Sequence, residues 1–206
     1  MTHFPVDGAA RWLLIALWIL WAGLLLGGLL LGKPDAQRRN RLPRPVRIAL
    51  SITLLAAALV WQAAGTAGTP MAGYGLWISV GMACGLLGDL FMAGLIVRQP
   101  RHVIFGILAF SAGHLCYILA FRLAAATPGL DPEPVWLRSA AIYLTASALL
   151  WAGLVRAPAR GPALNYGTLG YSLLLAVMAS SAAALAVLHS DFIPLAVGGL
   201  LFIVSD

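Results

Sequence analysis

Charged residues are scarce in this chain of 206 residues, where Asp, Glu, Lys and Arg together make up 10% of the sequence. A soluble domain is roughly 25% charged, because its surface must be hydrated. Hydrophobic residues make up 61% of the chain, and the mean hydropathy is +0.92. The composition therefore excludes a soluble globular protein and predicts that most of the surface meets lipid.

Cysteines are also scarce: Cys84 and Cys116 are the two in the chain, and both fall within hydrophobic runs. Two such residues form neither a disulfide framework nor a CxxC redox motif. A cysteine in an apolar run most often serves as a small hydrophobic side chain in the packed interior. The sequence therefore gives no sign of redox chemistry.

Two common hydrolase signatures are absent, namely the HExxH pattern of zinc enzymes and the GxSxG turn of serine hydrolases. Of the four histidines, only His114 lies inside a hydrophobic run. Metal hydrolysis normally needs several His or carboxylate ligands around one open position. We therefore predict no metal and no cofactor, with a metal site built from Asp89, His114 and Asp206 as the alternative.

Apolar runs of about twenty residues are abundant, and this is the length needed to cross a hydrocarbon core of roughly 30 Å. Backbone polar groups cannot stay unpaired in lipid, and the alternation typical of barrel strands is absent, so the runs predict α-helices. The expected fold is all-α, a polytopic transmembrane helix bundle that forms a single domain over residues 1–206. The seven runs are residues 12–32, 47–64, 74–97, 103–123, 136–155, 163–188 and 193–206. The seventh is too short to span alone, which predicts a domain truncated at its C-terminus.

Basic residues predict the orientation of the helices. Residues 33–47 contain Lys33 and a series of arginines. If this loop is cytoplasmic and the helices alternate, only Arg11, Arg122 and Arg138 fall outside, as the positive-inside rule requires. The N-terminus is then outside, and an Ala-, Gly- and Arg-rich composition favours a bacterial inner membrane.

The same loop, residues 33–47, has the charge to contact anionic lipid headgroups. Its arginines are not interleaved with the aromatic residues on which nucleic-acid bases stack. We therefore predict lipid headgroups and no nucleic acid as partners, and the sequence does not define an oligomeric state.

Ionisable residues inside the runs are few: Asp89 in the third, His114 in the fourth and Asp206 in the seventh. Such residues usually face a bundle interior or a wet cavity, because a charge in lipid is costly. With 1.5 Å of rise per residue, Asp89 lies about 12 Å from the cytoplasmic end of its run, and the other two lie in the middle or cytoplasmic half. Shared depth permits one common site. The structural alternative is that Asp89 and His114 pair to hold helices together.

Small and aromatic residues recur at helical spacing around these polar residues. Such stripes allow helices to approach closely and orient neighbouring polar groups toward protein. The stripes are Gly81, Gly85 and Gly88 beside Asp89, then Gly106, Phe110, His114 and Tyr117, and finally Gly167, Gly170 and Tyr171.

Three motifs occur together: GLLGDLFM at residues 85–92, FGILAFSAGHLCYILAF at residues 105–121 and GGLLFIVSD at residues 198–206. Their combination resembles the YhhN family. That family includes lysoplasmalogenases, integral membrane hydrolases that cleave the vinyl ether of a lysoplasmalogen to a fatty aldehyde and a glycerophospho-base. The resemblance implies a lysophospholipid substrate taken from the bilayer, and an eighth helix that this sequence does not contain.

Hydrolysis of a vinyl ether requires a general acid and a base that orients water, and two carboxylates can fill both roles if they share a proton. We predict Asp89 and Asp206 as this catalytic pair, without assigning which is the acid, and His114 as a further catalytic residue. Residues expected to position substrate or water are Tyr117, Tyr171 and Ser205.

Two other classes of function remain open. Intramembrane Asp and His also mark proton pathways, so a proton-coupled small-molecule transporter is the main alternative. Against it, the sequence shows neither an inverted repeat nor paired broken helices. A purely structural subunit is the third class.

Overall fold

The computed structural model describes residues 6–33, 42–98, 101–126, 133–157 and 161–205. None of these residues lies in a strand, and they form seven α-helices. Six helical segments are long and apolar enough to cross a membrane. The helices are Gly8–Leu31 (α1), Arg44–Trp61 (α2), Ala72–Met92 (α3), His102–Ala125 (α4), Glu133–Leu150 (α5), Pro162–Leu188 (α6) and Ile193–Ser205 (α7). The predicted all-α transmembrane fold is confirmed, and the chain is an integral membrane protein.

Large apolar side chains cover the outside of the helices. Leu31 is 84% exposed, Leu154 is 79% exposed and Trp12 is 71% exposed. Water would disfavour so much apolar surface, whereas lipid tails accept it at no cost. The exposure pattern therefore agrees with a bilayer environment.

The third run ends well before its predicted boundary, whereas the helix of the fifth run continues as a π-helix to its predicted end at Val155. The prediction that the third helix ends at Val97 is wrong, because α3 ends at Met92 and a turn follows. Gly94 has a φ of 71°, in the left-handed region that glycine enters without a steric penalty. The apolar residues after this turn kept the hydropathy high and concealed the helix end. Asp89 is thus three residues from the last residue of α3, about 4.5 Å along the axis instead of about 12 Å.

Two compact units make up the chain, residues 1–113 and residues 114–206. The first contains α1, α2, α3 and the first half of α4. The second contains the rest of α4 with α5, α6 and α7. The single domain over residues 1–206 stays a prediction.

Glycines bring α3 and the first half of α4 together in the first unit. A Cβ on Gly88 would lie 2.7–2.8 Å from the ring of Phe110, and a Cβ on Gly113 would lie 3.1 Å from the carbonyl oxygen of Gly81. Gly85, between the two α3 glycines, has no atom within 4 Å of its Cβ position. The predicted close approach therefore holds at Gly81 and Gly88, while Gly85 meets α4 only through its backbone nitrogen, 3.8 Å from a Cβ on Gly113.

We expect Gly88→Ala to lower the free energy of unfolding by about 1–3 kcal/mol, because the added methyl group would overpack against Phe110. Gly85→Ala is the matched control on the same helix, since it makes the same chemical change where space is open. Thermal unfolding of both variants in one detergent measures the difference. Equal midpoints would contradict the contact between Gly88 and Phe110.

Helix α6 forms the core of the second unit. Its buried side chains are mostly small, which lets neighbouring helices approach it closely. A Cβ on Gly199 of α7 would lie 3.2 Å from the Cβ of Ala179 on α6. The predicted close-contact stripe at Gly167 and Gly170 is wrong, because both residues are exposed with no atom within 4 Å of their Cβ positions. The buried residues of α6 are Leu175, Ala176, Met178, Ala179, Ser180, Ser181, Ala182, Ala184 and Leu185.

Among the described residues, three hydrogen bonds join α6 to α5 and to the π-helix Trp151–Val155 that continues α5. Indole Nε1–H groups supply the two outer bonds, and a buried serine supplies the middle one. Each polar group is thus satisfied away from water, which a membrane interior requires. The bonds are Trp136 to Ser181 Oγ (3.1 Å), Ser147 to Ser172 O (2.9 Å) and Trp151 to Thr168 Oγ1 (3.1 Å).

Candidate functional site

Asp89 lies on α3 in the first unit, where its side chain is half-buried. The hydroxyl of Ser51, on α2, donates a hydrogen bond to one of its carboxylate oxygens. The same hydroxyl lies 3.2 Å from the carbonyl oxygen of Arg47, one turn earlier on α2. The α2 backbone therefore holds Ser51 in place beside the aspartate.

This pairing of α2 with α3 is repeated nearer the other ends of the helices. The hydroxyl of Ser79, on α3, lies 3.2 Å from the carbonyl oxygen of Ala58 on α2. Ser79 is 3% exposed, so the contact is inside the unit. The two contacts fix the rotation of α3 against α2, and this rotation points Asp89 at Ser51.

A hydroxyl partner suits acid–base chemistry at Asp89. A serine O–H can donate to a carboxylate, and its oxygen can accept from a carboxylic acid. The contact with Ser51 is therefore compatible with both protonation states of Asp89. A general acid or base must visit both states during turnover.

Sequence reasoning missed Ser51. The available signal was that Ser51 and Thr53 are polar residues inside an apolar run. The Thr53 hydroxyl instead bonds the carbonyl oxygen of Ala49 in its own helix at 2.7 Å. Which of the two hydroxyls faces Asp89 depends on the rotation of α2, which the sequence does not define.

His114 lies on α4 in the second unit and is 2% exposed. Its Nε2 is 3.2 Å from the hydroxyl of Tyr171 on α6. The imidazole also has aromatic neighbours, with ring-centroid distances of 6.2 Å to Tyr117 and 5.7 Å to Phe202. Three helices, α4, α6 and α7, therefore contribute to its surroundings.

The His114–Tyr171 contact can hold or transfer a proton. A neutral imidazole carries a donor on one nitrogen and an acceptor on the other, and a phenol can serve in either role. The ring of Phe202 meets the imidazole edge-on, at an interplanar angle of 86°. This packing limits rotation of the imidazole and keeps its Nε2 directed at Tyr171.

Phe202 was also missed by sequence reasoning. It lies three residues before Ser205 in the closing GGLLFIVSD motif, so the spacing of one helical turn was a usable signal. The side chain of Ser205 and all of Asp206 lie outside what the structure describes. Their predicted roles stay predictions.

The predicted site residues thus occur in two separate sets. Asp89 lies in the first unit with Ser51, while His114, Tyr117 and Tyr171 lie together in the second. A site that combines both sets with Asp206 stays a prediction. Among the described residues, no three His, Cys, Asp or Glu side chains form a group that could hold a metal ion. The alternative metal site includes Asp206, which lies outside those residues.

The predicted lipid-headgroup contact at residues 33–47 falls largely outside the described part of the chain, since residues 34–41 are not described. Lys33 is exposed at the end of α1, and Arg44 and Arg47 begin α2. Interaction of this loop with anionic headgroups stays a prediction.

In a comparison with protein-family models, residues 45–206 match the model described as YhhN family. The matched segment includes Ser51, Asp89, His114, Tyr171 and Phe202. No curated protein and no solved structure matches the chain.

Proposed function

Because the chain belongs to the YhhN family, we propose that it is a membrane-embedded hydrolase of lysoplasmalogen-type lysolipids. It cleaves the vinyl-ether bond and releases a fatty aldehyde and a glycerophospho-base. The observation that carries this proposal is the family match over residues 45–206. The site geometry adds support, because an acid–base reaction needs proton-transferring groups and the membrane helices carry Asp89 and His114 with hydroxyl partners.

The proposed reaction consumes one water and needs no cofactor. A general acid donates a proton to the β-carbon of the vinyl ether, and the electron pair of the double bond forms the new C–H bond. Water attacks the resulting oxocarbenium ion and loses a proton to a base. In the hemiacetal, the hydroxyl group then loses its proton to a base as the C–O bond to the glycerol oxygen breaks, and that oxygen takes up a proton while the aldehyde carbonyl forms. The catalytic acid and base thus end the reaction in their starting protonation states, so acid–base catalysis alone is sufficient for this reaction.

In this proposal, the predicted site residues and the residues that contact them take the following roles. Asp89 and Asp206 share the acid and base roles, and the hydroxyl of Ser51 supports Asp89 in both protonation states. His114 and Tyr171 move a proton or orient the attacking water. Tyr117 and Ser205 position the substrate.

The proposal includes the membrane in which the protein acts and its orientation there. Lysolipids reside in membranes, so a polytopic protein can take its substrate directly from the bilayer. The Ala-, Gly- and Arg-rich composition favours a bacterial inner membrane, and the distribution of basic residues places the N-terminus outside. The loop of residues 33–47 then meets anionic headgroups on the cytoplasmic face.

Aldehyde release from a lysoplasmalogen by the purified protein in detergent tests the reaction. We expect aldehyde from the vinyl-ether lipid and none from the matched ester lysolipid. In D₂O, the aldehyde should carry deuterium on the carbon next to the carbonyl, because the acid protonates that carbon. Rapid reduction of the product prevents later exchange.

No aldehyde from a folded protein, across headgroups and pH values, would contradict the proposal. Aldehyde without deuterium at that carbon would contradict the protonation mechanism. In the first case, proton-coupled transport in liposomes becomes the function to measure, since intramembrane Asp and His also serve proton pathways.

A further inference from the structure

A pocket of about 160 Å³ opens in the second unit, where the end of α4, the start of α5 and the last turns of α6 meet. Phe121 and Leu185 form an apolar floor, and each is at most 3% exposed. Arg122 and Glu133 lie at the exposed rim with opposite charges. The pocket therefore combines an apolar interior with a cation and an anion at its mouth.

Trp136 positions the cation of this pocket. Its indole Nε1–H donates to Ser181 Oγ at 3.1 Å, and that hydroxyl donates to the carbonyl oxygen of Val177 at 2.8 Å. The guanidinium carbon of Arg122 lies 5.2 Å from the indole centroid. A guanidinium on a ring face gains cation–π attraction and keeps the donors at its edge available.

Within the described part of the chain, neither Arg122 nor Glu133 forms an ion pair. Arg122 can therefore offer its donors to a phosphate, for which a guanidinium has the matching planar geometry. Glu133 can accept an ammonium group at the same rim. The hydrocarbon chain of a lipid would contact the apolar floor.

We propose that this pocket binds the zwitterionic headgroup of a lysophospholipid, with phosphate at Arg122 and ammonium at Glu133. A purely anionic headgroup would meet repulsion from Glu133, and a headgroup without phosphate would leave Arg122 unused. This inference assigns the residues that bind the headgroup of the substrate, and in that respect it rests on the proposed function.

The pocket captures the lipid and is separate from the chemistry. His114 precedes Arg122 by eight residues on α4, which is about 12 Å along the axis. In a lysoplasmalogen, only the three glycerol carbons and their oxygens separate the phosphate from the vinyl ether. The glycerol link and the Arg122 side chain therefore set how far the reacting bond lies from α4, and His114 itself does not line the pocket.

Direct binding to the purified full-length protein tests this site without relying on turnover. The first probe is an ester-linked lysophosphatidylcholine, which has no vinyl ether and so cannot react. Lysophosphatidic acid lacks the ammonium group, and monoacylglycerol lacks the phosphate. Glycerophosphocholine, which lacks the hydrocarbon chain, separates a lipid site from a site for a free phosphate compound. We expect the wild type to bind lysophosphatidylcholine most tightly of the four.

Arg122→Gln should weaken lysophosphatidylcholine binding about tenfold, as expected for loss of a charge-assisted hydrogen bond. Glu133→Gln should weaken the binding of lysophosphatidylcholine. It should strengthen the binding of lysophosphatidic acid, because it removes the repulsion between the Glu133 carboxylate and the anionic headgroup. Arg138→Gln is the matched control, since Arg138 is exposed on α5 outside the pocket. Arg122→Lys keeps the charge and shows whether a folded pocket needs the stacked guanidinium.

Wild-type affinities in both Gln variants, each with a normal thermal midpoint, would overturn the site. An unchanged preference for the zwitterion in Glu133→Gln would overturn the ammonium assignment. If the binding pattern appears in a protein that releases no aldehyde, the proposed reaction fails and the capture site stands. If aldehyde is released and Arg122→Gln keeps the wild-type KM, the capture site fails and the reaction stands.

Discussion

Asp89→Asn is expected to reduce aldehyde release at least about 100-fold while the protein inserts and folds normally, since general acid–base catalysis contributes on this scale. An amide cannot donate or accept the transferred proton at physiological pH. Its oxygen can still accept the hydrogen bond from Ser51, so the packing of α2 on α3 should survive. Initial rates of aldehyde release and the thermal midpoint, measured on one preparation, separate chemistry from folding.

Asp191→Asn provides the matched control for this prediction. Asp191 is exposed in the turn after α6, where it lies 3.4 Å from Nδ1 of His189. The substitution makes the same chemical change outside the membrane-spanning helices and should leave the rate near that of the wild type. Unchanged hydrolysis by the folded Asp89→Asn variant would remove Asp89 from the reaction. Ser51→Ala should have a smaller effect, because it removes only a partner of the carboxyl.

His114→Gln is the second substitution with a large expected effect, a loss of about 100-fold in kcat. Glutamine can hydrogen-bond Tyr171 but cannot take up and release a proton at neutral pH. Tyr171→Phe should lower kcat by about tenfold, because it removes the hydroxyl that orients the imidazole. Measurement of kcat beside the thermal midpoint shows whether the effect is on chemistry.

Tyr166→Phe controls for the tyrosine change on the same helix. Tyr166 is 71% exposed on α6, so loss of its hydroxyl should leave both kcat and the midpoint unchanged. If His114 serves only to join helices, His114→Gln and Tyr171→Phe will lower the thermal midpoint and leave kcat intact. That outcome would assign the His114–Tyr171 contact to stability.

The sequence predicted some residues of the candidate site and missed others. His114 and Tyr171 were both recognised as polar residues in apolar runs, and the structure brings them to 3.2 Å. Ser51 and Phe202 were missed, although they contact Asp89 and His114. A serine or phenylalanine is common in membrane helices, so its type alone does not distinguish a site residue from a packing residue.

The glycines of α3 also show that residue type alone does not reveal which positions pack against a neighbouring helix. Gly85 and Gly88 are one turn apart on α3 and look alike in sequence, yet only Gly88 has a side chain against its Cβ position. The end of α3 was also misplaced, because the apolar residues beyond Gly94 continue the hydropathy of the helix without continuing its geometry. Each error concerns a feature that depends on local backbone conformation or on a neighbouring helix.

The sequence by itself determined the fold class, the membrane location and the positions of the spanning helices to within a few residues at most ends. These properties follow from length and apolarity, which act along the chain and are needed wherever a helix crosses lipid. Only the tertiary structure decided which face of each helix meets another helix, and therefore that Ser51 meets Asp89 and that Arg122 stacks on Trp136. In a membrane helix, both the lipid-facing and the buried sides are apolar, so hydrophobic periodicity carries little information about its rotation.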